Sequence, residues 1–150
     1  MLRIWGRINS VNVKKALWAA EELGLKYERI DAGLHFGVTK TPEYMRMNPN
    51  SLVPTIDDDG FVLWESHSIV RYLCAKHGAG TLWPTDLQAR ADGERWMDWA
   101  FTFQGAMRNV FWGLIRTPPE KRDAQAIEDS RQKSAALLAV PERTLAERPY

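Results

Sequence analysis

Leu52-Val53-Pro54-Thr55-Ile56-Asp57-Asp58-Asp59-Gly60-Phe61-Val62-Leu63-Trp64-Glu65-Ser66 is the stretch that decides how this chain is read. Two strand-forming runs, 52–56 and 61–64, flank Asp57-Asp58-Asp59-Gly60, a polar turn ending in glycine, which is hairpin chemistry. Pro54 has no N–H to give to a ladder, so its strand must start there or lie at a sheet edge. Ser66 is a helix cap, and the helix it opens buries Ile69, Val70, Leu73 and Cys74 before stopping at His77-Gly78.

Upstream, Leu2 to Trp5 reads as a short strand and Asn9-Ser10-Val11-Asn12 as turn and cap residues. Val13, Ala16, Leu17, Ala20 and Leu23 lie on one helical face, with Gly24 as the stop. Tyr27 to Asp31 is a second strand, residues 32–40 a loop, and Thr41-Pro42-Glu43 caps a short helix ending near Asn48-Pro49. The order is β-α-β-α-β-β-α, an α/β layer over 1–79.

Downstream the strand signal stops. Residues 80–85 read as a linker, and 86–150 as helical. Thr85-x-x-Gln88 is a capping box. Trp96, Trp99, Ala100, Phe103, Met107, Val110, Phe111 and Leu114 follow at steps of three or four, and Thr117-Pro118-Pro119-Glu120 starts a further helix that runs to about Val140. Two helices bury too little alone. They lean on the α/β layer, on a partner subunit, or on sequence beyond Tyr150.

Composition narrows the function classes. The 20 Lys+Arg nearly cancel the 19 Asp+Glu, and dividing at residue 79 leaves neither part with a basic excess. Nucleic acid is therefore not an expected partner. The longest apolar run, Ala135 to Val140, is far short of a membrane span. Met1-Leu2-Arg3-Ile4-Trp5 lacks the apolar stretch of a secretory signal, and the single cysteine, Cys74, excludes an internal disulfide or a Cys-x-x-Cys motif. A cytoplasmic protein without a metal is expected.

Three local features carry candidate chemistry. Ser10 and Asn12 place a hydroxyl and a carboxamide at a helix start, where free N–H groups and the macrodipole favour negative charge; a plain N-cap is the commoner alternative. A cis bond at Val53-Pro54 would turn the Val53 backbone outward to pair with an extended peptide, whereas trans is the commoner isomer. Glu65 and Ser66, at the next helix start, suit the amine and carboxylate of an α-amino acid, or simply cap the helix.

In this order, the three features resemble the cytosolic glutathione S-transferases of the bacterial serine/asparagine type, theta- and beta-like. The resemblance runs through Ile4-Trp5, Asn9 to Lys14, Asn48 to Ile56, Glu65 to Leu73, Leu82-Trp83-Pro84 and the segment Arg90 to Trp99. It implies an α/β fold with a thioredoxin-like N-terminal domain, followed by an all-α C-terminal domain that is incomplete here, and a homodimer using glutathione as co-substrate. Ser10 or Asn12 would contact the glutathione sulfur. The Val53 backbone, before Pro54, would pair with its cysteinyl part, Leu52 stands just before them in the binding segment, and Glu65 and Ser66 would hold its γ-glutamyl amine and carboxylate. The implied activity is transfer of glutathione to a small hydrophobic electrophile. The alternatives are glutathione-dependent reduction of disulfides or peroxides, and a non-catalytic interaction module.

Two departures stand out. Many relatives carry a basic or amide side chain just before Val-Pro, reaching the glycyl carboxylate, where this chain has Leu52; His35, Thr39 and Lys40 are the candidates to replace it. No tyrosine or cysteine lies in the first loop, which disfavours the tyrosine-type and cysteine-type classes.

Overall fold

The computed structural model describes residues 1–147. The chain forms two compact units, Met1–Arg90 and Ala91–Tyr150. The last three residues of the expected helical domain lie outside the described residues.

The first unit contains β1 (Leu2–Trp5), α1 (Val11–Glu22), β2 (Tyr27–Ile30), α2 (Pro42–Met47), β3 (Thr55–Asp58), β4 (Phe61–Trp64) and α3 (Ser66–His77). The sheet order is β2-β1-β3-β4, with β1 parallel to β2 and antiparallel to β3, and β3 antiparallel to β4. This is the thioredoxin-like arrangement. Alternation along β1 sends Leu2 and Ile4 to one face, where they pack with Val13, Ala16, Leu17, Ala20, Ile56, Ile69 and Leu73 beneath α1 and α3. Trp5 goes to the other face, with Ala32 and Tyr44 of α2.

The first strand of the hairpin starts three residues later than the sequence indicates, while the second lies at Phe61–Trp64 as expected. β3 begins at Thr55, past the cis Val53–Pro54 bond and a Leu52 carbonyl that is taken by side chains. The turn shrinks to Asp59-Gly60, both at positive φ (51° and 94°), the pairing that matches right-handed strand twist. Asp57 Oδ1 accepts from the Gly60 N–H at 2.6 Å.

Helix starts also differ in detail. α1 begins at Val11, with Ser10 as its N-cap. α3 is capped by Glu65, and Ser66 is its first helical residue. Val70 is half-buried.

The long downstream helix breaks into α4 (Leu87–Ala106), α5 (Arg108–Phe111) and a π turn, Trp112–Arg116. Asp86, not Thr85, caps α4, accepting from the Ala89 N–H at 2.7 Å. Likewise Asp123 caps α6 (Ala124–Glu147), which continues through Pro141. Within the second unit, small side chains let α5 and α6 approach. Ser130 Oγ accepts from the Val110 N–H at 3.2 Å and donates to the Ala106 carbonyl, while Ser134 Oγ donates to the Ser130 carbonyl at 2.7 Å. A Cβ on Gly113 would lie 2.5 Å from Ile127 Cδ1. Ser130 and Ser134 are the buried residues here among those described; Phe101, Trp112, Leu114, Ile115, Leu138 and Leu145 are exposed.

Candidate active site

One row of the sheet positions the site. Trp5 pairs with Ile30 on one side and Thr55 on the other, and Thr55 pairs with Trp64. The segments flanking this row therefore meet at one end of the sheet: Gly6–Ser10, Asp31–Gly33, Val53–Pro54 and Glu65–Ser66.

The first loop is fastened by its backbone. The Gly6 and Arg7 N–H groups donate to the Ile30 and Ala32 carbonyls at 2.8 and 3.1 Å, extending the β1–β2 pairing beyond Trp5. A Cβ on Gly6 would lie 2.3 Å from Val13 Cγ2, so only glycine lets α1 come this close. Ser10 accepts through its carbonyl from the Lys14 N–H at 2.9 Å, yet its side chain makes no capping bond. The buried hydroxyl thus sits at the positive end of α1 without serving the helix. Asn12 lies two residues on and is exposed.

The Val53–Pro54 segment rests on a closed hydrogen-bond ring. Tyr44 Oη donates to the Leu52 carbonyl at 2.6 Å. Asn48 Nδ2 donates to the same carbonyl and to Thr55 Oγ1, both at 3.0 Å. Thr55 Oγ1 is 2.8 Å from Tyr44 Oη. With the Tyr44 hydrogen committed to Leu52, the Thr55 hydroxyl donates to Tyr44, and the four polar hydrogens (one on Tyr44, two on Asn48, one on Thr55) all have acceptors. Asn48 Oδ1 in turn accepts from the Asn50 N–H at 3.0 Å. Tyr44 and Asn48 are buried, and burial pushes the Tyr44 hydroxyl pKa up. Pro54 is buried, Val53 half-buried, and the Leu52 side chain is 65% exposed.

Glu65 adopts φ 72°, a left-handed conformation unusual for a side-chain-bearing residue and concentrated at functional positions. Its carbonyl accepts from the Ile69 N–H at 2.9 Å while its carboxylate stays exposed. Ser66 is buried at the start of α3. One turn of helix inward, Lys15 Nζ lies 2.8 Å from Nε2 of the buried His67, tying α1 to α3. Burial lowers the Lys15 pKa.

Of the candidates for the contact that Leu52 does not make, Thr39 is buried and His35 and Lys40 are exposed, His35 against Phe36 with ring centroids 4.0 Å apart. Cys74 is buried and desolvation pushes its thiol pKa up, which suits a core residue and not a nucleophile. The described residues contain no His/Cys/Asp/Glu group suited to a metal, nor any helix long and apolar enough to cross a membrane. The second unit carries an open groove of about 370 Å³ lined by Arg95, Trp96, Trp99, Val140 and Thr144, with Trp99 stacked on Phe103.

Sequence reasoning gave neither Tyr44 nor Asn48 a part in supporting Val53–Pro54. Asn48-Pro49 marks the end of α2, but nothing local says that its amide reaches over to Leu52 and Thr55.

The fold and the meeting of these segments define a glutathione S-transferase: the family model described as the glutathione S-transferase N-terminal domain matches residues 1–75, and the chain belongs to this family. Among curated proteins it is 48% identical to the glutathione S-transferase GstB of Escherichia coli K12, over 98% of this chain and 72% of that relative. Among solved structures it is similar to the theta class glutathione S-transferase of Xanthomonas axonopodis pv. citri with glutathione bound. That match has a TM-score of 0.95 and 49% identity, covering 99% of this chain and 72% of the other. The glutathione transferase URE2P6 of Phanerochaete chrysosporium, in complex with oxidised glutathione, aligns at a TM-score of 0.88 and 26% identity, over 99% of this chain and 70% of its own.

Proposed function

We propose that this chain is a glutathione transferase that holds the glutathione thiolate at the start of α1 for attack on a small hydrophobic electrophile. The observation that carries this reading is the row Trp5–Thr55–Trp64, which sets Ser10, Val53 and the Glu65–Ser66 pair around one end of the sheet. The Val53 backbone pairs with the cysteinyl unit. The Glu65 carboxylate takes the γ-glutamyl ammonium, and the start of α3 with the Ser66 hydroxyl takes its carboxylate.

The energetics close. A thiol of pKa about 8.5 needs roughly 2.7 kcal/mol of differential stabilisation to move down two units. A hydroxyl bonded to the thiolate contributes about 1.5–3 kcal/mol, and the helix terminus about 0.3–1 kcal/mol more. Ser10 Oγ–H donates to the sulfur, with Asn12 next along the helix. The thiol proton leaves to solvent, the sulfur bonds to the electrophilic carbon, and the leaving group departs with its electron pair. No general base is required.

The decisive experiment is the pH dependence of conjugation of an activated aryl chloride. Ser10→Ala raises the apparent pKa of the bound thiol by at least one unit; an unchanged profile removes Ser10 from the mechanism. Retention on immobilised glutathione without turnover of an aryl chloride or a mixed disulfide favours an interaction module instead. The chain acts in the cytoplasm as a homodimer. The exposed apolar side chains of the second unit support assembly, and sedimentation at micromolar concentration tests it.

A further inference from the structure

β2 carries a cation on its packed face. Strand alternation puts Arg29 on the same side of the sheet as Tyr27, which packs against the core beneath α1 and α3. A half-buried guanidinium there needs a counter-charge and acceptors. It finds both at the end of the sheet that bears the site. Nη1 donates to the Gly6 carbonyl at 2.9 Å and to Asp31 Oδ1, and Nη2 lies 3.5 Å from Asp31 Oδ2. The planar fork thus joins the segment that follows β1 to the segment that follows β2.

What Arg29 holds is one particular peptide unit. The Gly6 carbonyl and the Arg7 N–H belong to the same rigid plane. Its N–H edge is bonded to the Ala32 carbonyl at 3.1 Å and its carbonyl edge to the guanidinium, so turning the plane breaks a bond at one edge or the other. The next carbonyl along, that of Arg7, accepts from the Ser10 N–H at 3.2 Å, which passes the orientation of this plane on to Ser10. Ser10 has no capping bond from its own side chain, and the two residues in between, Ile8 and Asn9, are exposed. Its hydroxyl therefore stands where the loop behind it puts it. Gly6 is buried, so a carbonyl released there must turn to find another donor, and the loop turns with it.

We propose that Arg29 is a positioning residue of the site: steadied by Asp31, it locks the Gly6–Arg7 peptide and thereby sets the Ser10 hydroxyl where it meets the sulfur. The proposal rests on the glutathione-transferase reading and adds to it a side chain from β2 that acts through Ser10.

The test is a double-mutant cycle read in the pH profile of aryl chloride conjugation. Arg29→Met raises the apparent pKa of the bound thiol by about half a unit and lowers kcat about tenfold, with KM for glutathione within about threefold of wild type, as expected for a hydroxyl that is misplaced and not removed. In the Ser10→Ala background, adding Arg29→Met moves the pKa no further, because the hydroxyl it acts through is gone. A thiol pKa unmoved by Arg29→Met overturns the assignment. So does a shift of the same size with and without Ser10, since the cation would then act on the sulfur directly. A rise in KM alone marks a merely structural role and refutes it as well. Should Arg29→Met not fold, Asp31→Asn decides: it loosens the guanidinium and moves the pKa in the same direction by less, and no movement refutes the proposal. If Ser10→Ala leaves the profile unchanged, the thiolate reading falls and Arg29 with it. If Ser10→Ala moves the profile and Arg29→Met does not, only Arg29 falls.

Discussion

Replacing Tyr44 by Phe removes one oxygen from the ring that holds Val53–Pro54, and its cost can be worked bond by bond. Leu52 keeps a donor, because Asn48 Nδ2 still reaches its carbonyl at 3.0 Å. Thr55 fares worse: its fully buried hydroxyl loses the acceptor 2.8 Å away. One lost bond is worth about 1 kcal/mol and an unsatisfied buried donor about 1–3 kcal/mol, so the variant loses about 2–4 kcal/mol in urea unfolding. Thr55→Val in the same background removes the stranded hydroxyl, so the double variant is less destabilised than the sum of the singles by about 1 kcal/mol. The same loosening reaches Val53, and KM for glutathione rises with little change in kcat. A loss below 0.5 kcal/mol, strict additivity with Thr55→Val, or an unaltered KM would refute the ring as described.

Gly6→Ala drives a methyl into Val13, and the repulsion costs about 1–3 kcal/mol by thermal unfolding while displacing Ser10, so kcat falls too. Asp58 provides a pH signature. Burial raises its pKa, but hydrogen bonds from Lys76 and Tyr72, at 2.6 and 2.7 Å, outweigh burial and hold the carboxyl below its ordinary 3.8. A depressed folded-state pKa means stabilisation that is complete above the unfolded value and lost as pH falls through the folded one. Unfolding followed by circular dichroism from pH 5 to 2 therefore shows an acid-linked loss that Asp58→Asn reduces. Cys74 in the native chain reacts with a thiol reagent much more slowly than in urea; equal rates would contradict its burial.

Local patterns recovered most of the first unit. The faces of β1, α1 and α3 follow from periodicity, since Leu2, Ile4, Val13, Ala16, Leu17, Ile69 and Leu73 each lie where the 2.0 or 3.6 repeat places them. The start of β3 was misread because the residues that displace it, Tyr44 and Asn48, act across the gap between α2 and the strand, and residue-by-residue propensity carries no term for that. Capping was misassigned in the downstream region. Asp86 takes the start of α4 in place of the adjacent Thr85, and Asp123 the start of α6, six residues beyond Thr117, both with their carboxylates at a helix N-terminus. For the site, Ser10, Val53-Pro54 and Glu65-Ser66 were legible as a set because each marks a turn into a regular element. The support under Val53–Pro54 was not, because Tyr44 and Asn48 reach it from another element, which a local window does not contain.

Leu52 divides its labour between its two halves. Its carbonyl is clamped by two neighbours while its side chain faces solvent, so the backbone's duty is uncoupled from the side chain's identity at a single residue. Position 52 is thus open to substitution: lineages or libraries can sample polar, charged or aromatic groups there with the architecture beneath it undisturbed.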